Sequence, residues 1–377
     1  MHLTEVLGLS LEVLIALIGV VGNILVVIVI HHLGKKKRPG DCYLQSLAIA
    51  DIGTLLITSP LVIIRMEMPV NWPFGEFACL YVYPVAEIFY GASVWSIVVI
   101  AANRYHQMFY LKIFSRTRPS LQRAKTIAAL VWVLSFIILC FPLYFVVDYR
   151  ELLNGGQFCG PVRWTHFSET AYIICLTLLT YVIPLAIISF TYVAISRALR
   201  QNIDLIKAMK QVLPHVATSP GNQRDHLTHA KSIRLKQNIR ARKILSPLVV
   251  TFAVTMLPLN VFRLTMVFWP AGFSGQEYLK HLLYGLVIST TINSAANPII
   301  YSVVSRDFRK RILNNLRCIN WDRFFRQRPT LFSTVWIKVK VIKKANAFSG
   351  ENMSSSQTLL MFEYCTNFVR KATDFSS

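Results

Sequence analysis

The sequence predicts an all-α membrane protein: a seven-transmembrane helix bundle with a short amphipathic eighth helix. Three observations predict it. Seven apolar stretches each reach the roughly 20 residues needed to cross a hydrocarbon core of about 30 Å. The loops between them alternate between strongly basic and charge-poor. A basic amphipathic stretch, Ser305 to Leu316, follows the last of them. In lipid every backbone amide must find its partner within its own segment, so such spans are helices, and the short alternating strands of a barrel are absent.

The first stretch, Val6 to Ile30, is too long for a cleavable signal, lacks a basic leader and carries Asn23 in its middle, so it is expected to remain as span one. With few residues before it, no extracellular domain is expected ahead of this span. Tyr43 to Ile64 and Phe77 to Ala102 form spans two and three. Thr126 to Val147, Ala171 to Ile195 and Ile244 to Trp269 form spans four to six, and Leu282 to Val304 forms span seven. Pro60, Pro142, Pro184 and Pro258 place weak points in spans two, four, five and six, and Pro298 adds one in span seven. Residues 1–317 form the seven-transmembrane domain, and residues 318–377 a cytoplasmic tail expected to be largely disordered.

Orientation follows from Lys and Arg. The loops after spans one, three and five carry four, six and eleven of them, whereas the opposite side has only Arg65, Arg150, Arg163 and Lys280. The expectation is a multi-pass plasma-membrane protein with its N-terminus extracellular and its C-terminus cytoplasmic. The net charge of +22 is thereby mostly a topology signal. Anionic inner-leaflet lipid is the expected partner for it and nucleic acid is not, because the charges flank spans instead of forming one face.

Topology also sorts the seven cysteines. Cys79, at the outer start of span three, and Cys159, in the second outer loop, are the two on the oxidising side away from lipid. A disulfide between them is expected, two free thiols being the alternative. Cys140 and Cys175 lie in spans as small apolar packing residues. Cys318, just after the amphipathic stretch, is a palmitoylation candidate or a plain cytoplasmic thiol.

Asp51 is the clearest buried charge, near the middle of span two with no Lys or Arg in reach on its helix. It needs a proton, a cation or hydrogen-bond donors. Ser93, Asn293, Ser294 and Asn297 are the expected oxygen-bearing neighbours for a small hard cation.

Taken in order, the motifs resemble the rhodopsin-like, or class A, G-protein-coupled receptors. Gly22-Asn23 resembles that family's span-one signature, and Leu47-Ala48-Ile49-Ala50-Asp51 its span-two signature. Trp72 with Phe74-Gly75 resembles its first outer loop, and Asn103-Arg104-Tyr105 the end of its span three. Trp132, the pair Pro184 and Tyr192, Phe252 through Pro258, and Asn297-Pro298-Ile299-Ile300-Tyr301 complete the set. The resemblance implies an allosteric sodium ion at Asp51 and no other cofactor. It implies that span six bends at Pro258, with Phe252 in the hinge, to open a cleft for a heterotrimeric G protein. Arg104, Tyr192 and Tyr301 would meet at that cleft; the plain alternative for Arg104 is an interfacial, snorkelling arginine.

Departures from the family pattern carry their own expectations. Met256 stands where the family has a tryptophan, Asn103 replaces the acid beside Arg104, and Asn238 stands where some members place a glutamate. A weakly latched inactive state with raised basal signalling is expected. Leu111 replaces a common proline in the second inner loop.

Ala86 occupies the place of the aminergic aspartate and Thr291 that of the retinal lysine, which disfavours amine ligands and light sensing. The outer cavity offers Glu87, Arg263 and Arg65. A guanidinium suits a carboxylate or amide terminus, and Glu87 a basic group; an internal Glu87 to Arg263 ion pair is the alternative. Tyr90, Asn260 and Thr291 complete the expected ligand-binding set. With Trp72 and a long second outer loop, whose Asn154-Gly155 predicts a hairpin lid, the character is that of neuropeptide receptors.

Other readings remain beside it: a receptor-like scaffold that binds ligand without G-protein coupling, or a receptor for a small non-peptide ligand. A transporter would show internal repeats, a channel pore-lining polar stripes, and an enzyme metal ligands or a nucleophile with its base; none is present in the spans. In the tail, Ser354, Ser355, Ser356 and Thr358 form a candidate phosphorylation cluster for an arrestin.

Overall fold

A computed structural model describes residues 3–34, 37–113, 120–153, 155–212, 222–269, 276–304 and 308–310, all within one compact unit, Met1–Leu313. Seven long helices and one hairpin make up the described chain: α1 (Leu3–His32), α2 (Pro39–Glu67), α3 (75–113), α4 (Leu121–Phe145), β1 (Val147–Glu151), β2 (Gln157–Pro161), α5 (166–212), α6 (Asn222–Phe268) and α7 (Gln276–Val304). The first six helices contain stretches long and apolar enough to cross a membrane. The seventh, of 29 residues, is long enough but more polar, and its Thr291, Asn293, Ser294 and Asn297 are all buried.

The helices overrun the expected spans at both ends. Gln, Lys, Arg, Ala and Leu on the inner side of α5 and α6 are strong helix formers, so these helices continue where lipid stops. Side-chain caps fix two starts: Ser120 Oγ accepts from the Arg123 amide at 3.1 Å, and Thr165 Oγ1 from the Ser168 amide at 3.2 Å.

Four spans share a feature that hydropathy does not announce. A π-helical turn occupies Thr54–Thr58, Ala78–Val82, Phe136–Cys140 and Leu178–Val182, and each ends two residues before a proline: Pro60, Pro84, Pro142 and Pro184. A proline ring clashes with the carbonyl four residues back and offers no amide to it; a widened turn relieves both. Pro84 in α3 joins the weak points read from sequence. Pro258 and Pro298 sit inside helices that carry no such turn.

In lipid, helices associate through close packing more than through a hydrophobic force. Gly19 brings α1 against α2 and α7: a Cβ there would lie 2.7 Å from Leu55 and 2.9 Å from Ala295. At Gly22 it would lie 2.9 Å from Pro298. Polar ties supplement this packing. Trp132 Nε1 donates to Ser46 Oγ (3.0 Å), itself 3.3 Å from Ser96 Oγ, joining α4, α2 and α3. Asn23 Nδ2 donates to the Gly19 and Ser294 carbonyls, joining α1 to α7.

The hairpin pairs antiparallel with Tyr149 opposite Cys159, and Gly155 turns it with φ at 78°. Cys79 and Cys159 form a disulfide with an S–S distance of 2.03 Å, fixing β2 to the outer end of α3. Trp72, buried, donates from its amide to the Gln157 carbonyl (2.7 Å) and from Nε1 to the Gly75 carbonyl (3.0 Å), tying the first outer loop to the same strand. The amphipathic stretch Ser305 to Leu316, apart from residues 308–310, lies outside the described residues, as do Cys318 and the serine cluster.

Candidate functional site

Polar residues gather at three depths. In the outer half, Tyr90 on α3 places its hydroxyl 3.3 Å from Thr180 Oγ1 and 3.8 Å from Met256 Sδ. The thioether that replaces a tryptophan thus packs against a tyrosine. Arg263 on α6 sits over the Tyr90 ring, its Cζ 5.3 Å from the centroid. Asn260 donates to the Met256 carbonyl at 2.8 Å and leaves Oδ1 without a partner. Glu87 Oε2 and Arg263 Nη1 are likewise buried and unpartnered. The internal ion pair offered as an alternative is therefore absent: no Glu87 to Arg263 pair exists among the described residues. Arg65 is committed to Tyr83, whose hydroxyl it bonds and whose ring it covers at 5.1 Å.

Above them the hairpin carries a charge clasp. Asp148 accepts from Arg150 Nε (3.0 Å) and Arg163 Nη2 (2.9 Å). The hydrogen bond from Arg150, joined by that from Arg163, holds the Asp148 carboxyl below the usual carboxylate range.

At mid-depth Asp51 is fully buried. Ser93 Oγ donates to one carboxylate oxygen at 2.7 Å and Asn297 Nδ2 to the other at 2.8 Å, with Ser294 facing the same group. Asn293, expected in this set, turns elsewhere: its Oδ1 lies 3.3 Å from Thr255 Oγ1 on α6 and accepts from it. Successive helical residues are rotated by about 100°, so 293 and 294 cannot both face Asp51. Ser289 Oγ donates to the Thr255 carbonyl at 2.8 Å, adding a second α7 to α6 tie.

At the inner end, Arg104 on α3 lies within reach of the charge of Asp41 on α2. Tyr301 Oη is buried without a hydrogen-bond partner, and its ring meets Phe308 edge-on at 6.1 Å. Tyr105 stacks with Phe109 at 4.5 Å, and Tyr192 packs against the same inner core. Asn103 lies beside the start of α2, its Nδ2 3.6 Å from where a Cβ on Gly40 would be. Phe252, fully buried, stacks 6.1 Å from Tyr181, whose hydroxyl donates to the Ala253 carbonyl at 3.1 Å. That extra acceptor use lies one turn below Pro258, at the expected hinge.

Sequence reading missed one buried charge. Glu12 on α1 is 2 % exposed, and Thr291 Oγ1 donates to its Oε1 at 2.5 Å. The signal was present in the spacing: Glu12 precedes Asn23 by about three helical turns, which places both on the face packed against α7.

The model of the 7 transmembrane receptor (rhodopsin family) matches residues 22–301. Among similar proteins are the QRFP-like peptide receptor of Branchiostoma floridae, 28% identical over 81% of this chain and 76% of that protein, and the neuromedin-U receptor 2 of Rattus norvegicus, 28% identical over 80% and 73%. Galanin receptor 2a of Danio rerio is 27% identical over 79% of this chain and 74% of its own length. A family match across spans two to six, the inner part of span one and nearly all of span seven agrees with the helix order, the disulfide and the Asp51 and Asn297 contacts: the chain belongs to the rhodopsin family of seven-transmembrane receptors.

Proposed function

We propose that this receptor sits in the plasma membrane with its N-terminus outside, binds an extracellular peptide and activates heterotrimeric G proteins from its inner face. One observation carries the ligand reading. Glu87, Asn260 and Arg263 each leave a buried polar atom unpartnered in the outer half, and native proteins rarely leave such groups unsatisfied unless something else completes them. Opposite charges in the same half of the bundle suit a ligand that has both, as a peptide does. The similar proteins named for peptides support the same class. Orientation is supported by the Lys and Arg asymmetry.

At mid-depth we propose an allosteric sodium ion. The donor set fits: the Asp51 carboxylate with the Ser93 and Ser294 hydroxyls and the Asn297 side chain offers oxygen ligands, and no basic side chain pairs with Asp51 among the described residues. The ion would neutralise Asp51 and tie α2, α3 and α7. The tail serines and Cys318 are proposed as arrestin-binding and lipid-anchoring positions.

A peptide library on cells carrying a promiscuous G-protein reporter tests the main reading. Hits that lose potency in Arg263→Ala and signal that disappears in Arg104→Ala are expected. Surface expression with no basal signal and no response would favour a non-coupling scaffold; a response to small organic ligands alone would favour the non-peptide class.

A further inference from the structure

Glu12 is a buried acidic side chain inside the bundle with no ion pair to a cation among the described residues. Its Oε1 takes the only proton Thr291 has, so the Ser59 hydroxyl, 3.2 Å from Thr291 Oγ1, must be the donor in that second contact. Both hydroxyl protons therefore point along one chain toward Glu12. Its other oxygen, Oε2, is buried with no partner. A proton on Oε1 would reverse the chain, Glu12 donating to Thr291 and Thr291 to Ser59, and a proton on Oε2 would find no acceptor; in both cases Oε2 stays without a partner. Neither form of the side chain is satisfied by the protein itself. The basic residue on the same face of α7, Lys280, is held by Glu67 at 3.1 Å.

The place is also one helix step from the Glu87 side of the bundle. Thr58 and Ser59 are consecutive on α2 and face different neighbours. Thr58 Oγ1 donates to the Ala86 carbonyl at 3.0 Å, beside Glu87, whereas Ser59 meets Thr291. One residue step on α2 therefore separates the Glu87 side from the Glu12 side. Outward of Glu12, Gly8 leaves the room taken by the Tyr284 ring, 3.5 Å from where a Cβ would be, and Tyr284 donates to Glu67 at 2.6 Å.

We propose that Glu12, held by Thr291 and backed by Ser59, is a subsite for an organic cation, the ammonium or guanidinium of a basic group in the ligand. It rests on the reading that the outer half of the bundle holds an extracellular ligand. It divides the work: Arg263 takes an anionic or amide end, and Glu12 a basic one between α1, α2 and α7. A positively charged donor supplies both missing elements, the countercharge and the hydrogen for Oε2.

The purified receptor in lipid nanodiscs, in potassium buffer, tests this without an agonist. The probe is n-butylguanidinium at millimolar concentration, with neutral n-butylurea as its isostere. An upward melting shift of about 2 to 4 °C over butylurea is expected, the size a ligand several-fold above its Kd produces. The shift should persist in Glu87→Gln, vanish in Glu12→Gln and survive in Glu12→Asp, which keeps the charge if the amide variant folds poorly. No shift in the wild type, or the same shift in Glu12→Gln, overturns the proposal. An equal Glu12-dependent shift from sodium chloride also overturns it, because the site would then take a metal cation. Peptide responses unaffected by Glu12→Gln would sink this subsite alone, whereas a guanidinium shift without any peptide response would sink the peptide reading alone.

Discussion

Gly53 and Phe89 set the distance between α2 and α3 close to Asp51. A Cβ on Gly53 would overlap the Phe89 ring, whereas one on Gly285 meets nothing within 4 Å. Gly53→Ala should therefore lower thermal stability by about 1 to 3 kcal/mol, and Gly285→Ala should leave it unchanged or slightly raised, both read from melting curves in nanodiscs. Equal effects would show that the close approach is not what holds the pair. Asp51→Asn should abolish any sodium dependence of agonist affinity, since the charge that draws the ion is gone; a dependence that survives would place the ion elsewhere. Asp51 and Asn297 were legible because a charge in mid-span and a proline after an asparagine have few meanings. Glu12 was not, because it lies near the outer end of its span, where a carboxylate is ordinarily taken for a solvated group. Only the helical phase relative to Asn23 distinguishes the two.

Four wide turns, each two residues before a proline, give the spans their shared irregularity. Proline positions were readable but the turns were not, since Pro258 and Pro298 have none; neighbouring packing decides how the lost amide is accommodated. Pro84→Ala supplies the missing amide and removes the ring, so the regular ladder should return in 78–84. Hydrogen exchange there should slow, and faster exchange would show that the wide turn is held by its neighbours instead. The hairpin has its own signature. Asp148 titrates below the usual carboxylate value of 3.8, so its clasp to Arg150 and Arg163 is complete above that range and is lost only as pH falls through the lowered value. Hairpin exchange, corrected for intrinsic pH effects, should therefore stay flat from pH 7 down to about 4. A rise near pH 6 would implicate a different group. The hairpin itself was foreseen from Asn154-Gly155, because few turns suit that pair.

Across the whole molecule, the state of the inner face depends on what restrains Arg104. Asn103 brings no charge, and Asp41 acts on it from another helix. Asn103→Asp should lower basal signalling about two- to five-fold, the effect of a latch worth some 0.5 to 1 kcal/mol. Equal basal signals in the two proteins would remove the weak-latch reading. The bundle, span seven included, was legible from apolar runs and basic loops because lipid permits so few alternatives. The Glu12 to Thr291 contact joins residues 279 apart in sequence. At synthesis rates of about 5 to 20 residues per second, the first helix enters the bilayer roughly 15 to 55 seconds before the hydroxyl that partners its carboxylate has been made. During that interval Glu12 has no hydrogen-bond donor from α7. The oldest helix is thus among the last to be secured, and in a chain stopped before residue 291 the Glu12 side chain lacks even the one hydroxyl that the complete bundle gives it.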